Sequence, residues 1–191
     1  MPFSAAVADF PSITFWFVAF WLVLHRTLGH RLSDLRSADQ TREQKWTTYG
    51  IVAESLAMGT VCFVVAWNGR DVPVAAAVAG HLSAGIGTAI VVWGRHTLGR
   101  HFSIHLQVDQ RHDLVTDGPY RWVRHPIYSG DILFHAGVPL LCGAWEALVF
   151  PVIYAALAVV RLRKEEVMLG DAYAGYAEYR TRTSALVPGL Y

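Results

Sequence analysis

Apolar residues are concentrated in five stretches that are separated by polar segments. They cover residues 10–28, 49–67, 73–93, 127–142 and 145–160. The first three have the roughly 20 residues that a helix needs to cross a bilayer. The last two have 16 residues each, and only Gly143 and Ala144 lie between them. The pattern therefore predicts an all-α polytopic membrane protein with about five transmembrane helices, of which the last two form a short helical hairpin. A single long helix, kinked at Pro139 and Pro151, is the alternative.

Composition agrees with this prediction. Of the 191 residues, 53% are hydrophobic and only 16% are charged, which leaves too little polar surface for an ordinary soluble domain. The chain is too short for a second domain, so we expect one membrane domain over residues 1–191, with three spans in residues 1–93 and the chemistry in residues 94–191. The net charge of +1 gives no reason to expect a nucleic-acid partner, and nothing indicates an obligatory protein partner.

Basic residues are distributed unevenly among the connecting segments. If the five spans alternate in direction, residues 25–48, residues 94–126 and the tail after residue 160 lie on one side, and they contain fifteen of the sixteen Lys and Arg residues. Arg70 is the exception. Cytoplasmic loops are enriched in Lys and Arg, so we expect an integral protein of a bacterial inner membrane with an outside N-terminus and a cytoplasmic C-terminus. Residues 1–9 lack a basic region, so the first segment is expected to remain as an anchor.

Several polar or small residues fall inside the predicted spans. Glu54, His81 and His135 are ionisable groups that either line a substrate cavity or form hydrogen bonds between helices, and the sequence leaves both possibilities open. The third segment is rich in small residues, which predicts close helix packing; they are Gly80, Ala84, Gly85, Gly87 and Ala89. Cys62 and Cys142 are expected to be packing residues.

The segment before the fourth span combines aromatic, basic and imidazole groups. Asp117-Gly118-Pro119 cannot continue a helix, so the chain should reverse there. His125 precedes a proline and should leave helical angles, while Pro126 suits the first turn of a helix. Such a helix start offers backbone N–H groups to a ligand, although the aromatic residues alone would also suit a membrane interface.

Histidines are frequent in the same loop, at positions 96, 101, 105, 112 and 125. His101 and His105 are four residues apart and could align two imidazoles on a helix. Membrane di-iron enzymes also need His-x-x-His-His boxes, and none is present, so we expect no metal site.

Arg161, Glu165 and Glu166 follow the last apolar stretch. Arg161 and Glu165 share a helix face, which is compatible with a simple ion pair at a helix end or with a planar guanidinium that binds an anionic substrate group.

Together, the box Arg124-His125-Pro126-Ile127-Tyr128-Ser129-Gly130 and the later Arg161-x-x-x-Glu165-Glu166 resemble the isoprenylcysteine carboxyl methyltransferase and phospholipid methyltransferase family. The resemblance continues through Tyr173, Tyr176 and Pro188-Gly189 and covers roughly the C-terminal half of the chain. It implies an S-adenosylmethionine-dependent methyltransferase whose acceptor is a lipid or an isoprenoid-like molecule with a carboxylate or amine.

The resemblance also implies roles for individual residues. Cofactor contacts are expected from one set of side chains: His105, His112, Asp113, Leu114, Val115, Tyr120, His125, Pro126, Ile127, Tyr128 and Glu165. His105 stands where the prenylcysteine enzymes tend to have glutamine. Arg161 is expected to bind the acceptor, with Arg161, Glu165 and Glu166 as the catalytic group, and Glu166 is the candidate base for an amine acceptor.

Two other functions share part of this pattern. Membrane sterol reductases bind NADPH and have a similar acidic helix, Tyr-x-x-Tyr and Pro-Gly-x-Tyr ending, although they are about twice as long. A non-enzymatic membrane protein of the NnrU type is the other alternative. The identity of the acceptor is not encoded in any motif of this chain.

Overall fold

The fold is all-helical over residues 42–99 and 114–190, the part of the chain that this computed structural model describes, with side chains from Trp46 onward. The elements in chain order are α1 (Arg42–Trp67), α2 (Val74–Leu98), a 3₁₀ turn (Gly118–Arg121), α3 (Pro126–Cys142), a second 3₁₀ turn (Trp145–Leu148), α4 (Val149–Ala172) and α5 (Tyr176–Arg182). Within these residues the only β-type pairing is two isolated bridges. The predicted all-α class is confirmed.

Three stretches of the described helices are long and apolar enough to cross a membrane: Trp46–Trp67, Val74–Leu98 and Trp145–Ala172. Large apolar side chains on these helices point outward, among them Trp67, Leu82 and Val152, which are 60–72% exposed. Outward-facing apolar side chains are what a helix needs where its solvent is lipid. Helix α3 has only 17 residues, and the predicted first segment, residues 10–28, lies outside the described residues.

The hairpin between α3 and α4 forms where the sequence predicts it. Gly143 adopts left-handed angles with φ of 65°, and its N–H donates to the carbonyl of Leu140, a common way to end a helix. The alternative of one long kinked helix is therefore wrong. Pro139 and Pro151 lie inside α3 and α4 rather than at a shared kink.

The extent of α4 corrects the sequence interpretation. The last span was expected to end near residue 160, but α4 continues to Ala172. Arg161, Glu165 and Glu166 consequently lie within a helix, not at its end. The helix continues because these charged side chains find partners on other elements, which no count of apolar residues could reveal.

Helices α2 and α3 approach so closely that their contact has room only for glycine. A Cβ at Gly87 would lie 2.5 Å from the carbonyl oxygen of Gly130, and a Cβ at Gly137 would lie 2.6 Å from that of Gly80. The predicted role of the small residues is confirmed for Gly80, Ala84 and Gly87, which are buried. Two further members of the predicted set point elsewhere, because Gly85 is half-buried and Ala89 is exposed.

The contacts between loops define two ends of the helix bundle. At one end Arg70 donates to Glu146 at 2.8 Å and to the carbonyl of Gly143 at 3.1 Å, which ties the α1–α2 turn to the hairpin. Residues 114–125 and 173–190 lie at the opposite end. The separation of Arg70 from the other basic residues of the described chain fits the predicted topology. Near the α3–α4 hairpin, Cys62 and Cys142 are buried in the apolar core, as expected for packing residues.

Candidate functional site

The segment before α3 reverses the chain as predicted. Asp117 is extended and Gly118 has φ of 57°, after which residues 118–121 form the first 3₁₀ turn. A Cβ at Gly118 would lie 2.5 Å from Oγ1 of Thr97, so both the backbone angle and the close approach to α2 require glycine. This turn delivers the following box to the start of α3.

The box is held in place by the C-terminal segment. His125 has φ of −127° and ψ of 59°, and Pro126 opens α3, which confirms the expected break before the helix. The N–H of Arg124 donates to the carbonyl of Ser184 at 2.9 Å, and that of His125 donates to the carbonyl of Ala185 at 3.0 Å. The tail thus uses the backbone donors of residues 124 and 125 and fixes the direction in which the His125 side chain leaves the chain.

Glu165 is the centre of the polar site. Its Oε1 accepts a hydrogen bond of 2.5 Å from the hydroxyl of Tyr128 and one of 3.2 Å from Nε of Arg161. Its Oε2 lies 3.6 Å from Nδ1 of His125. Arg161 is buried and also donates to Oγ1 of Thr48 at 2.9 Å. The Glu165 side chain remains 24% exposed, so a fixed carboxylate is presented to a ligand at the junction of α3 and α4.

Glu166 belongs to a more deeply buried ion-pair network. Its Oε1 accepts 2.7 Å from Nε of Arg124 and lies 3.5 Å from Nε2 of His125, while its Oε2 lies 3.7 Å from Arg180. Arg124 also donates to the carbonyl oxygens of Arg180 and Thr183. Because both partners are more than nine-tenths buried, this pair couples α4 to the box and to the tail.

Buried tyrosines support the same region. The hydroxyl of Tyr179 donates to the carbonyl of Tyr120 at 2.6 Å, and burial raises the pKa of Tyr179 to about 12, so it remains a neutral donor at physiological pH. Tyr120 and Pro126 are buried, and Ile127 packs with them against the position of Gly94 on α2. These three predicted cofactor residues therefore lie in the packing between α2 and the start of α3.

The structure brings together only part of the predicted set. His125, Tyr128, Arg161, Glu165 and Glu166 converge at one site. Leu114 and Val115 are half-buried in the segment that leads to the 3₁₀ turn. His105, His112 and Asp113 lie outside the described residues.

Two residues of the site were not singled out by sequence reasoning. Arg124 stands in the box beside His125, and its burial against Glu166 could have been suspected from that position alone. Thr48 gave no signal, since one threonine near the end of an apolar stretch is unremarkable until α1 is placed against α4.

A second polar cluster lies deeper in the helices. The hydroxyl of Ser55 donates to Oε2 of Glu54 at 3.2 Å and lies 3.2 Å from Nε2 of His135. Nδ1 of His135 donates to the carbonyl of Asp131 at 2.7 Å. The structure thus bears out hydrogen bonding between helices for Glu54 and His135, whereas His81 bonds to a carbonyl of its own helix.

Comparison with known proteins gives the same result as the motifs. Residues 81–171 match the model of the isoprenylcysteine carboxyl methyltransferase (ICMT) family. The chain is 34% identical over 96 residues to protein-S-isoprenylcysteine O-methyltransferase B of Arabidopsis thaliana, which is 48% of this chain and 49% of that protein. It is 33% identical over 95 residues to the protein-S-isoprenylcysteine O-methyltransferase of Schizosaccharomyces pombe, which is 47% and 40% of the two chains.

A relative with a different kind of name matches equally well. The cobalt-zinc-cadmium resistance protein CzcN of Cupriavidus metallidurans is 34% identical over 100 residues, which is 49% of this chain and 44% of that protein. The chain spans about half the length of the relatives it matches, or less. The matched region contains the box, the buried Arg124–Glu166 pair and the Glu165 site. Through residues 81–171, the chain belongs to the isoprenylcysteine carboxyl methyltransferase family.

Proposed function

We propose that this protein is an S-adenosylmethionine-dependent methyltransferase of the membrane that methylates a carboxylate or amine on a lipophilic acceptor. The observation that carries the proposal is the convergence of Tyr128, Arg161 and His125 on the carboxylate of Glu165. The names of the methyltransferase relatives support the reaction class. The three long apolar helices support an acceptor that arrives from the lipid.

The side chains present suit the proposed cofactor. When bound, S-adenosylmethionine supplies a methyl group on a positively charged sulfur, and it also carries an ammonium and a carboxylate. Glu165 offers a partly exposed negative charge that Tyr128 and Arg161 already orient. Nε2 of His125 is buried and forms no hydrogen bond within residues 42–99 and 114–190, which leaves it able to bond a ligand. The remaining proposed contacts are those expected from the family box: His105, His112, Asp113, Leu114, Val115, Tyr120, Pro126, Ile127 and Tyr128.

The chemistry asks the protein mainly for alignment. Methyl transfer is an in-line displacement, and positioning of the reactants can supply roughly 7–11 kcal/mol of the barrier. Arg161 is proposed to orient the acceptor, because a guanidinium can bind a carboxylate while Thr48 and Glu165 restrict its own movement. An ionised carboxylate needs no base.

An amine acceptor would need a base, for which Glu166 was the expected residue. Both of its oxygens already lie near arginine side chains, those of Arg124 and Arg180. This occupation favours a carboxylate as the acceptor group.

The proposed topology fits this reaction. With the residue 114–125 end on the cytoplasmic side of a bacterial inner membrane, the cofactor reaches Glu165 from the cytosol and the acceptor reaches Arg161 laterally from the bilayer. The two reactants then meet at the boundary between water and lipid.

Cofactor binding by the purified protein tests the proposal. We expect radiolabelled S-adenosylmethionine to bind in detergent, NADPH not to bind, and Glu165→Gln to bind S-adenosylmethionine more weakly. A preference for NADPH would instead support the reductase alternative. Binding of neither would support a non-enzymatic membrane protein.

A further inference from the structure

Two polar layers occupy the same seam between α1, α3 and α4. The site layer consists of Thr48, Tyr128 and Arg161, and the second polar layer consists of Ser55, His135 and Tyr154. On each helix the two members are seven residues apart. Since α4 runs opposite to α1 and α3, these steps all lead in the same direction, and seven residues place the second layer about 10 Å deeper along the helices.

The second layer contains an acceptor atom that its neighbours do not satisfy. Glu54 is 5% exposed, and its Oε1 is buried without a hydrogen-bond partner in the described part of the chain. The other carboxylate oxygen, Oε2, is held by Ser55 at 3.2 Å. An unsatisfied carboxylate oxygen near the middle of a membrane-spanning helix is costly, and it calls for a hydrogen-bond donor.

The neighbouring side chains cannot supply that donor. His135 uses its Nδ1–H on the carbonyl of Asp131, and its Nε2 faces the Ser55 hydroxyl. Tyr154 directs its hydroxyl to Oδ2 of Asp131 at 2.7 Å. Whichever way the Ser55 proton points, it can reach only the Oε2 side of Glu54.

An apolar strip connects the two layers. Ile51 and Ala158 are buried between them, and Tyr128, Ile132 and Leu157 pack against this core while remaining only partly buried. The strip therefore offers apolar surface to a hydrocarbon chain that runs from Arg161 toward Glu54.

We propose that Glu54 in the second polar layer binds a hydroxyl group of the acceptor, which lies about 10 Å along its hydrocarbon chain from the group that is methylated. This inference rests on the proposed function and narrows the acceptor to a hydroxylated lipid. A hydroxyl suits the site better than an ammonium group, because bringing a second charge to this depth would cost more.

Isomeric hydroxystearic acids test the proposal, because they differ only in the position of the hydroxyl. One isomer has a mid-chain hydroxyl, and the other has its hydroxyl beside the carboxylate. Their dissociation constants for the purified protein in detergent are obtained from thermal stabilisation as a function of ligand concentration. For the wild type we expect the mid-chain isomer to bind about tenfold more tightly, the effect of one hydrogen bond to a charged group.

Variants assign the preference to Glu54. Glu54→Leu removes the acceptor, and Glu54→Gln is the isosteric alternative in which Ser55 retains the amide oxygen and an NH₂ group replaces Oε1. Both should bind the two isomers equally. Thr60→Val is the matched control, since Thr60 lies on the same helix and donates to the carbonyl of Leu56; it should keep the preference.

The possible results separate this inference from the proposed function. A wild type that binds the two isomers equally would overturn the inference, and so would a preference that survives in both Glu54 variants. If the protein prefers the mid-chain isomer but binds no S-adenosylmethionine, the hydroxyl site stands and the methyltransferase proposal fails.

Discussion

Tyr128→Phe removes one hydroxyl and leaves the packing of α3 unchanged. In the wild type this hydroxyl donates to Oε1 of Glu165 at 2.5 Å, and Arg161 approaches the same oxygen at 3.2 Å. Without Tyr128 the carboxylate keeps Arg161 but loses its shortest contact, so it can rotate away from the orientation that the cofactor is proposed to require.

The size of the effect follows from the burial of this contact. A hydrogen bond to a charged group contributes about 1.5–3 kcal/mol. Glu165 is 24% exposed and retains one partner, so the lower end of that range applies. We therefore expect the affinity for S-adenosylmethionine to fall about tenfold, with a comparable loss for His125→Ala, which removes the ring beside Oε2 of Glu165.

Equilibrium binding of radiolabelled S-adenosylmethionine to purified protein in detergent measures this change. Tyr154→Phe is the matched control, because it also removes a tyrosine hydroxyl from a carboxylate, at 2.7 Å from Asp131, but two helical turns away. Its affinity should equal that of the wild type. Unchanged affinity in both Tyr128→Phe and His125→Ala would refute the reasoning and reduce the box to an aromatic membrane interface.

Three other predictions concern packing, roles and topology. Gly87→Ala should lower the thermal stability strongly, because a Cβ there would lie 2.5 Å from a carbonyl oxygen of α3, whereas Gly175→Ala, with open space around its Cβ, should not; thermal unfolding compares the two. Arg161→Lys should impair turnover with little change in cofactor affinity, and Glu165→Gln should weaken cofactor binding; an equal small loss of stability with no other effect would leave only a helix ion pair. A cysteine in place of Arg70 should react with an external impermeant reagent while the C-terminus stays protected, and a labelled C-terminus would mean that a span was miscounted.

Local sequence signals predicted the elements that local chemistry controls. Gly143 ends α3 through a left-handed angle, and Pro126 begins it, so the hairpin and the helix start could be predicted from residue type alone. The small residues of α2 predicted the close contact with α3, although the pattern could not say that Gly85 and Ala89 lie away from it.

The remainder depends on contacts between distant residues. The bond between Arg161 and Thr48 joins positions 113 residues apart, and the pair between Arg124 and Glu166 joins positions 42 residues apart. Such contacts also explain why α4 continues past the expected end at residue 160, since its charged side chains are paired rather than solvated. No periodicity within one segment contains that information.

Transfer of the methyl group itself tests the central claim most directly. Purified protein is incubated with extracted membrane lipids and S-adenosylmethionine labelled in the methyl group, and radioactivity in the organic phase is counted. We expect labelled lipid with the wild type and a large loss of label with Arg161→Lys. Protein that binds S-adenosylmethionine but transfers no label to the extracted lipids would contradict a lipid methyltransferase.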